Sequence, residues 1–213
     1  MAPRVLIADK LSPAAVAIFK DRGVEADVKT GLTKDQLLEI IDQYDGLAVR
    51  SATKADKDVT EARLRKLNAI NFSSLPLSQA VKVQRGNGKR VLVMFSDPYC
   101  PYCKQFEQTL QQIDDITVYV FMIPIIRPNL ADHSRAVWCS ADRSKAWIDL
   151  ALHGKPPAGS AACENPVEKN LELGRKLGVN STPTLYMVNG ERIAGAMQPA
   201  DLRAMLDQAA SSK

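Results

Sequence analysis

Apolar and polar positions change their spacing several times along the first 58 residues, and each change predicts a new element. Apolar runs at Val5–Ala8, Val24–Val28 and Gly46–Val49 predict strands. Helical spacing follows Ser12-Pro13 and Thr33–Gln36, where the residue types are those of helix caps. The order β-α-β-α-β favours a parallel sheet with right-handed crossovers.

Residues 59–88 have a different pattern, which predicts a helical linker. Thr60 is a candidate cap for a helix through Leu67, and the stretch Leu75–Val83 is interpreted as a further helix. Polar residues separate the two stretches, and glycine follows the second.

Residues 89–213 predict a larger mixed domain. An apolar strand at Arg90–Phe95 leads through a turn to Cys100, where a helix begins that extends to Ile113. The elements that follow are a strand at Thr117–Ile123, helical stretches around Ala136, at Ala146–Leu152 and at Glu168–Leu177, and a strand at Thr184–Val188. A hairpin turn at Asn189-Gly190 comes next, and then a last helix with Leu202, Met205, Leu206 and Ala209 on one face.

Charge and hydropathy exclude several classes of function. The net charge of +4 comes from 28 basic residues mixed among 24 acidic ones, without the concentrated basic face that nucleic-acid binding needs. Apolar runs are too short for membrane insertion. The N-terminus, Met1 to Arg4, lacks the features of a secretory signal peptide.

The cysteines carry the candidate chemistry, because all four lie between Cys100 and Cys163. Cys100-Pro101-Tyr102-Cys103 stands at a predicted helix start, where unpaired backbone N–H groups and the helix dipole stabilise a thiolate. Cys100 is therefore the predicted nucleophile, and Cys103, one turn further on, the resolving thiol. The pair predicts a thiol:disulfide oxidoreductase or isomerase that needs neither a metal nor an organic cofactor.

A second feature, Thr182-Pro183, precedes a predicted strand far along the chain. In thioredoxin-like folds a cis proline lies opposite the nucleophilic cysteine and presents the preceding backbone to the substrate. Thr182 and Pro183 are therefore candidate substrate-binding residues, and Tyr99 and Tyr102 beside the nucleophile are further candidates.

From about Thr60 to the end, the chain resembles the linker and catalytic domain of the DsbC-type bacterial periplasmic disulfide isomerases. The matching stretches are TEARLRKLNAINFSSLPLSQAVK, RGNGKRVLVMFSDPYCPYCKQFE, AVWCSADRSKAW and LGVNSTPTLYMVNGERIAGAMQPADLRAML. The resemblance implies a structural disulfide between Cys139 and Cys163. It also implies misfolded or reduced exported proteins as substrates, a DsbD-like membrane thiol reductase as electron donor, and a periplasmic location.

Residues 3–58 resemble the start of the substrate-binding domain of D-3-phosphoglycerate dehydrogenase, in PRVLIADKLSPAAVAIFKDRGVE and YDGLAVRSATK. That resemblance implies an anion contact at Arg50-Ser51. Dehydrogenase activity is not expected, because the dinucleotide fingerprint is missing: Gly86 and Gly88 are followed by Val91 where a third glycine belongs.

The two resemblances together indicate a chimera. The predicted fold class is α/β: a thioredoxin-like catalytic domain with a helical insertion at 89–213, preceded by the helical linker and by a small βαβαβ, flavodoxin-like fragment at 1–58. That fragment stands where the DsbC-type family has its dimerisation domain, so monomer and homodimer both stay open. An isomerase, a monomeric thiol oxidase or reductase, and a chaperone-like binder of unfolded chains are the competing functions.

Simpler interpretations compete with several of these assignments. Cys100 and Cys103 could form a zinc site with Cys139 and Cys163 or a histidine, although these ligands are not closely spaced. Cys139 and Cys163 could instead be buried reduced thiols. His133 and His153 are expected at the surface, and Trp138 and Trp147 in the core.

Overall fold

The computed structural model describes residues 2–60 and 69–211, and the chain divides into two compact units, Met1–Asn68 and Ala69–Lys213. Each unit has its own sheet and its own buried core. Within the described residues, no helix is both long and apolar enough to cross a membrane.

The first unit is a small parallel α/β fold, as its sequence pattern predicts. Strands β1 (Arg4–Ile7), β2 (Glu25–Val28) and β3 (Gly46–Ala48) form a parallel sheet in the order β2-β1-β3. Helices α1 (Pro13–Asp21) and α2 (Lys34–Ile40) connect them. A short 3-10 turn at Ile41–Gln43 follows α2, and the core comprises Leu6, Ala8, Leu37, Ile41, Tyr44 and Val59.

The helix caps of this unit follow from local residue types. The Ser12 side chain accepts a hydrogen bond from Ala14 N–H, and Pro13 occupies the first helical position. Thr33 and Gln36 form a reciprocal capping box at the start of α2. Short-range signals of this kind explain why the sequence predicts these elements correctly.

The expected cap at Thr60 is wrong. Residues 57–60 are already helical, and Asp56 caps this turn, because its carboxylate accepts hydrogen bonds from Asp58 N–H at 3.1 Å and Val59 N–H at 3.3 Å. Most of the predicted helix through Leu67 lies outside the described residues.

The second unit contains a five-stranded mixed sheet in the order β4-β6-β5-β7-β8. Strands β5 and β6 are parallel, and the other neighbouring pairs are antiparallel. The strands are β4 (Val81–Arg85), β5 (Arg90–Ser96), β6 (Ile116–Met122), β7 (Thr184–Met187) and β8 (Arg192–Ala194).

Within residues 69–211, five α-helices pack against this sheet, and two buried cores form. Trp138 and Trp147 lie in one of these cores, as expected from the sequence. The helices are α3 (Pro101–Leu110), α4 (Ala131–Cys139), α5 (Arg143–Ala151), α6 (Val167–Lys176) and α7 (Pro199–Ser211).

The prediction of a helix over Leu75–Val83 is wrong. This stretch contains a 3-10 turn at Leu77–Gln79 and then enters β4, which pairs antiparallel with β6 at the sheet edge. Val81 and Val83 are buried while Lys82 and Gln84 are exposed, an alternation with the period of a strand. The segment assigned to a helical linker therefore supplies an edge strand to the second sheet.

Candidate active site

The central strand β5 ends at Ser96, and a fixed turn carries the chain from there to Cys100. Asp97 is fully buried, and its carboxylate accepts hydrogen bonds from Tyr99 N–H and Ile126 N–H, both at 2.7 Å. Its backbone carbonyl accepts from Cys100 N–H at 3.1 Å. Asp97 therefore ties the turn before the nucleophile to the loop after β6, a role that the sequence analysis missed.

Cys100 occupies the N-cap position of helix α3 and Pro101 is its first residue, so the cysteine pair stands at a helix N-terminus. Both cysteines are free thiols. Cys100 is only 4% exposed and Cys103 is 1% exposed. Access to Cys100 is restricted because its thiol packs against a second loop, where it donates a hydrogen bond to the Thr182 carbonyl oxygen at 3.3 Å.

That second loop contains Thr182 and Pro183, which are joined by a cis peptide bond. Both residues are buried, and the loop is held at each end by hydrogen bonds. Gly195 N–H donates to the Pro183 carbonyl at 2.8 Å, and the Thr184 hydroxyl donates to the Ser181 carbonyl at 2.7 Å. The fold thus brings together two motifs that lie 82 positions apart in the sequence.

The two thiols differ in chemical character because their surroundings differ. Burial raises the pKa of the Cys103 thiol to about 12, against the opposing effects of the Ser96 side chain, the Asp97 backbone and the Thr182 side chain. At neutral pH Cys103 is therefore a protonated thiol, since its pKa lies far above the ambient pH. Of the pair, Cys100 is left as the group for a first nucleophilic attack.

The two tyrosines beside the nucleophile have different environments. Tyr102 is 66% exposed, whereas Tyr99 is half-buried and its hydroxyl hydrogen-bonds to His133 Nδ1. The Arg127 guanidinium lies over the Tyr99 ring, 5.5 Å from its centroid. Burial raises the pKa of Tyr99, so its hydroxyl stays protonated. His133 is thus half-buried beside the site, while His153 is exposed as expected.

A groove of about 430 Å³ extends along one side of the cysteine pair. Its lining includes Tyr102 and Gln105 from α3, Thr182 from the cis-proline loop, and Met197 from the segment before α7. The lining combines the exposed Tyr102 ring with the half-buried Met197 side chain. Such a surface suits an extended polypeptide placed across the Cys100 thiol.

A buried acid lies one turn beyond Cys103 in α3. Glu107 is 1% exposed, and its carboxyl accepts a hydrogen bond from Trp147 Nε1 at 2.7 Å, which links α3 to α5. Burial raises the pKa of Glu107, while this hydrogen bond and the Arg85 charge oppose the rise. Glu107 has no distinguishing signal in the sequence, because its position on a helix face does not indicate a partner 40 residues away.

Cys139 and Cys163 form a disulfide with an S–S distance of 2.05 Å. The bond joins the end of α4 to the segment before α6, so the loop that it closes contains α5. Their sulfurs are therefore not free to complete a zinc site with Cys100 and Cys103, and they are not the reduced thiols of the alternative reading.

In the first unit, Arg50 and Ser51 line a pocket of about 380 Å³ at the carboxyl end of the parallel strands. Asp9 shares this pocket, and its carboxylate accepts hydrogen bonds from Arg50 N–H at 2.7 Å and Ala52 N–H at 3.1 Å. A hydrogen bond from the Thr53 hydroxyl is the largest of the effects that hold the pKa of Asp9 far below its usual range. A permanent negative charge thus lies beside the expected anion contact, in a pocket that Lys10 and Arg50 also line.

Comparison with known families divides the chain at nearly the same place as the structure. Residues 77–210 match the family described as "Thioredoxin-like domain", and residues 5–74 match "D-isomer specific 2-hydroxyacid dehydrogenase, catalytic domain". The two matches do not overlap, which is consistent with a chimera.

Two relatives described as DsbC proteins illustrate the similarity of individual sequences. The chain is 44% identical over 161 residues to the probable thiol:disulfide interchange protein DsbC of Bordetella avium, covering 76% of this chain and 57% of that protein. It is 27% identical over 192 residues to the thiol:disulfide interchange protein DsbC of Escherichia coli K12, covering 86% and 78%. The chain thus spans a little over half the length of the Bordetella relative.

Among solved structures, the chain resembles a disulfide interchange protein from Neisseria gonorrhoeae. The sequence identity is 40% and the TM-score 0.60, and the match covers 63% of this chain and 97% of that one. The thioredoxin-like fold predicted for the second unit is therefore confirmed.

Proposed function

Because the chain belongs to the thioredoxin-like domain family, we propose that its Cys100–Cys103 pair exchanges disulfide bonds with protein substrates. The observation that carries the proposal is the approach of the Cys100 thiol to the Thr182 carbonyl, 3.3 Å away, at a helix N-terminus. The names of the DsbC relatives support the same chemistry.

In the proposed reaction, the Cys100 thiolate attacks one sulfur of a substrate disulfide. A Cys100–substrate mixed disulfide forms, and the other substrate sulfur leaves as a thiolate. An isomerase lets that thiolate, or another of the same substrate, attack again and release Cys100. In the reductive branch Cys103 attacks Cys100 instead, so the cysteine pair is oxidised while the substrate disulfide becomes two thiols.

The proposed substrates are misfolded or reduced exported proteins, and the surface around the thiol supports this choice. Among residues 69–211, the exposed large apolar side chains are Tyr102 (66%), Ile125 (38%) and Ile126 (50%). Tyr102 lies between the two cysteines in the sequence. Ile126 N–H donates a hydrogen bond to the Asp97 carboxylate, and the Asp97 backbone also holds the turn before Cys100. An unfolded chain exposes the apolar side chains that such a patch can cover.

Replacing Ile126 by serine is expected to lower kcat/KM for reactivation of a scrambled multi-disulfide protein about five- to tenfold, because a half-exposed apolar contact is lost. Reduction of oxidised glutathione should be unchanged, since that substrate is too small to need the patch. The backbone bond from Ile126 to Asp97 is retained in the variant.

The matched control for this variant is Ile18→Ser, which removes a 58% exposed isoleucine from the first unit. The control should reactivate the scrambled protein at the parent rate. Equal losses in the two variants, or equal losses with protein and glutathione in Ile126→Ser, would show that the patch does not bind substrate.

The reductive branch needs an electron donor, and we propose a DsbD-like membrane thiol reductase in the periplasm, by analogy with the DsbC-type family.

The exposed apolar side chains also support a second candidate function, the chaperone-like binding of unfolded chains without disulfide exchange. Native mass measurement separates the assembly states: a homodimer favours isomerisation, and a monomer favours thiol oxidation or reduction. For residues 1–58 we propose no dehydrogenase activity and treat them as an appended unit.

A further inference from the structure

The exposed charged side chains in the segments that border Cys100 all have the same sign. Four segments hold this cysteine, contact it through hydrogen bonds or line the groove beside it: residues 96–110, 123–131, 181–184 and 195–198. Their acidic residues are Asp97 and Glu107, and both are at most 1% exposed. Their basic residues, Lys104 and Arg127, are exposed. The charge that these segments present to a substrate is therefore positive.

Arg127 is held in place at both its backbone and its side chain. Its carbonyl oxygen accepts a hydrogen bond from Leu130 N–H at 2.9 Å, and the preceding residue, Ile126, is bonded to the Asp97 carboxylate. Its guanidinium lies over the ring of Tyr99, the residue before the nucleophile, 5.5 Å from the ring centroid. A stacked, planar guanidinium loses less freedom when it binds a ligand than an unsupported side chain does.

The positive charge of Arg127 is not neutralised within the second unit. None of the ion pairs within residues 69–211 involves it. The exposed acidic residue nearest to it in the sequence, Asp132, bonds instead to Arg135 at 2.6 Å. An exposed guanidinium of this kind can donate two parallel hydrogen bonds to a carboxylate that is brought to it.

We propose that Arg127 makes the exchange site select substrate segments that carry an acidic side chain close to the reacting cysteine. This inference rests on the proposed function and adds a specificity-determining residue to it. The substrate carboxylate binds the Arg127 guanidinium, while apolar side chains of the same segment contact Ile125 and Ile126, because these three exposed residues are consecutive. Complementary charge then increases the rate at which such segments reach Cys100.

The size and the salt dependence of this preference follow from the exposure of Arg127. A pair of exposed charges changes a rate or an affinity by about twofold to fivefold. Salt screens such a pair, since the screening length falls from about 10 Å at 0.1 M to about 3 Å at 1 M. The preference for acidic segments should therefore be largest at low ionic strength and nearly absent in 1 M salt.

The test uses two disulfide-linked peptide homodimers that differ only in carrying Glu or Gln at the two positions on each side of the cysteine. Each is mixed with excess reduced protein at low salt, and the second-order rate constant for loss of the peptide disulfide is measured after acid quenching. The Glu-to-Gln ratio of these constants is compared between proteins, so that the intrinsic effect of Glu on the peptide disulfide cancels. We expect the ratio to fall about threefold in Arg127→Gln and about tenfold in Arg127→Glu, whereas Arg127→Lys should keep most of it.

Arg143→Gln is the matched control, because Arg143 is also exposed and its guanidinium also stacks on an aromatic ring, 3.8 Å from the Trp138 ring centroid. This variant should keep the parent ratio. The inference is overturned if Arg127→Gln keeps the parent ratio, if Arg143→Gln lowers it equally, or if the preference persists in 1 M salt. A parent protein that reacts with neither peptide would instead overturn the proposed function.

Discussion

Replacing Cys100 by serine is expected to reduce the reactivation of a scrambled multi-disulfide protein to the rate of the glutathione buffer alone. We expect a loss of roughly two orders of magnitude or more, because a serine hydroxyl cannot form a mixed disulfide. Cys103 does not replace Cys100 as the attacking group, since burial raises its pKa to about 12 and keeps it protonated. Recovery of substrate activity over time, in a defined glutathione buffer, is the measurement.

The control for this prediction is a double variant, Cys139→Ala with Cys163→Ala, which removes the two cysteines of the second disulfide. Assayed well below its unfolding temperature, it should keep most of the parent activity. Parent-like reactivation by Cys100→Ser would mean that the exchange chemistry does not take place at Cys100.

The same double variant is expected to lower the free energy of unfolding by about 3.5 kcal/mol. The disulfide closes a loop of 25 residues, from a sequence separation of 24, and the chain-entropy relation gives this value for a loop of that length. The measurement is the urea midpoint of the second unit's transition, with the parent and the variant both kept in the dithiol form at Cys100 and Cys103 by a mild reductant.

Cys100→Ser serves as the comparison for this stability prediction, because it also removes a thiol but opens no covalent loop. It should unfold at nearly the parent midpoint. A double variant as stable as the parent would show that the Cys139–Cys163 bond does not constrain the unfolded chain.

Much of the fold could be predicted because its signals are local. Capping residues such as Ser12 and Thr33 mark helix starts within three positions, and the strand predicted at Arg90–Phe95 is observed at Arg90–Ser96. The edge strand Val81–Arg85 was missed for the opposite reason. Its alternation is only five residues long, and its identity as a strand depends on pairing with β6, more than 30 residues later.

The residues of the candidate site fall into the same two groups, those with a local sequence signal and those that depend on distant partners. Cys100 and Cys103 stand out in the sequence by their spacing at a predicted helix start, and Thr182-Pro183 stands out by its place before a predicted strand. The contacts of Asp97, Glu107 and His133 involve partners that only the fold brings near, such as Ile126 for Asp97 and Trp147 for Glu107. The low exposure of Cys100 has the same origin, since it results from a loop 82 positions away.

The most direct test of the exchange chemistry is to map the covalent intermediate. A Cys103→Ser variant cannot resolve a mixed disulfide through its own chain, so a peptide disulfide substrate should remain attached after alkylation of the free thiols. Digestion and mass spectrometry are predicted to locate the substrate peptide on Cys100, at close to one equivalent per chain. Attachment at Cys139 or Cys163, or no attachment while the parent protein remains active, would contradict the account.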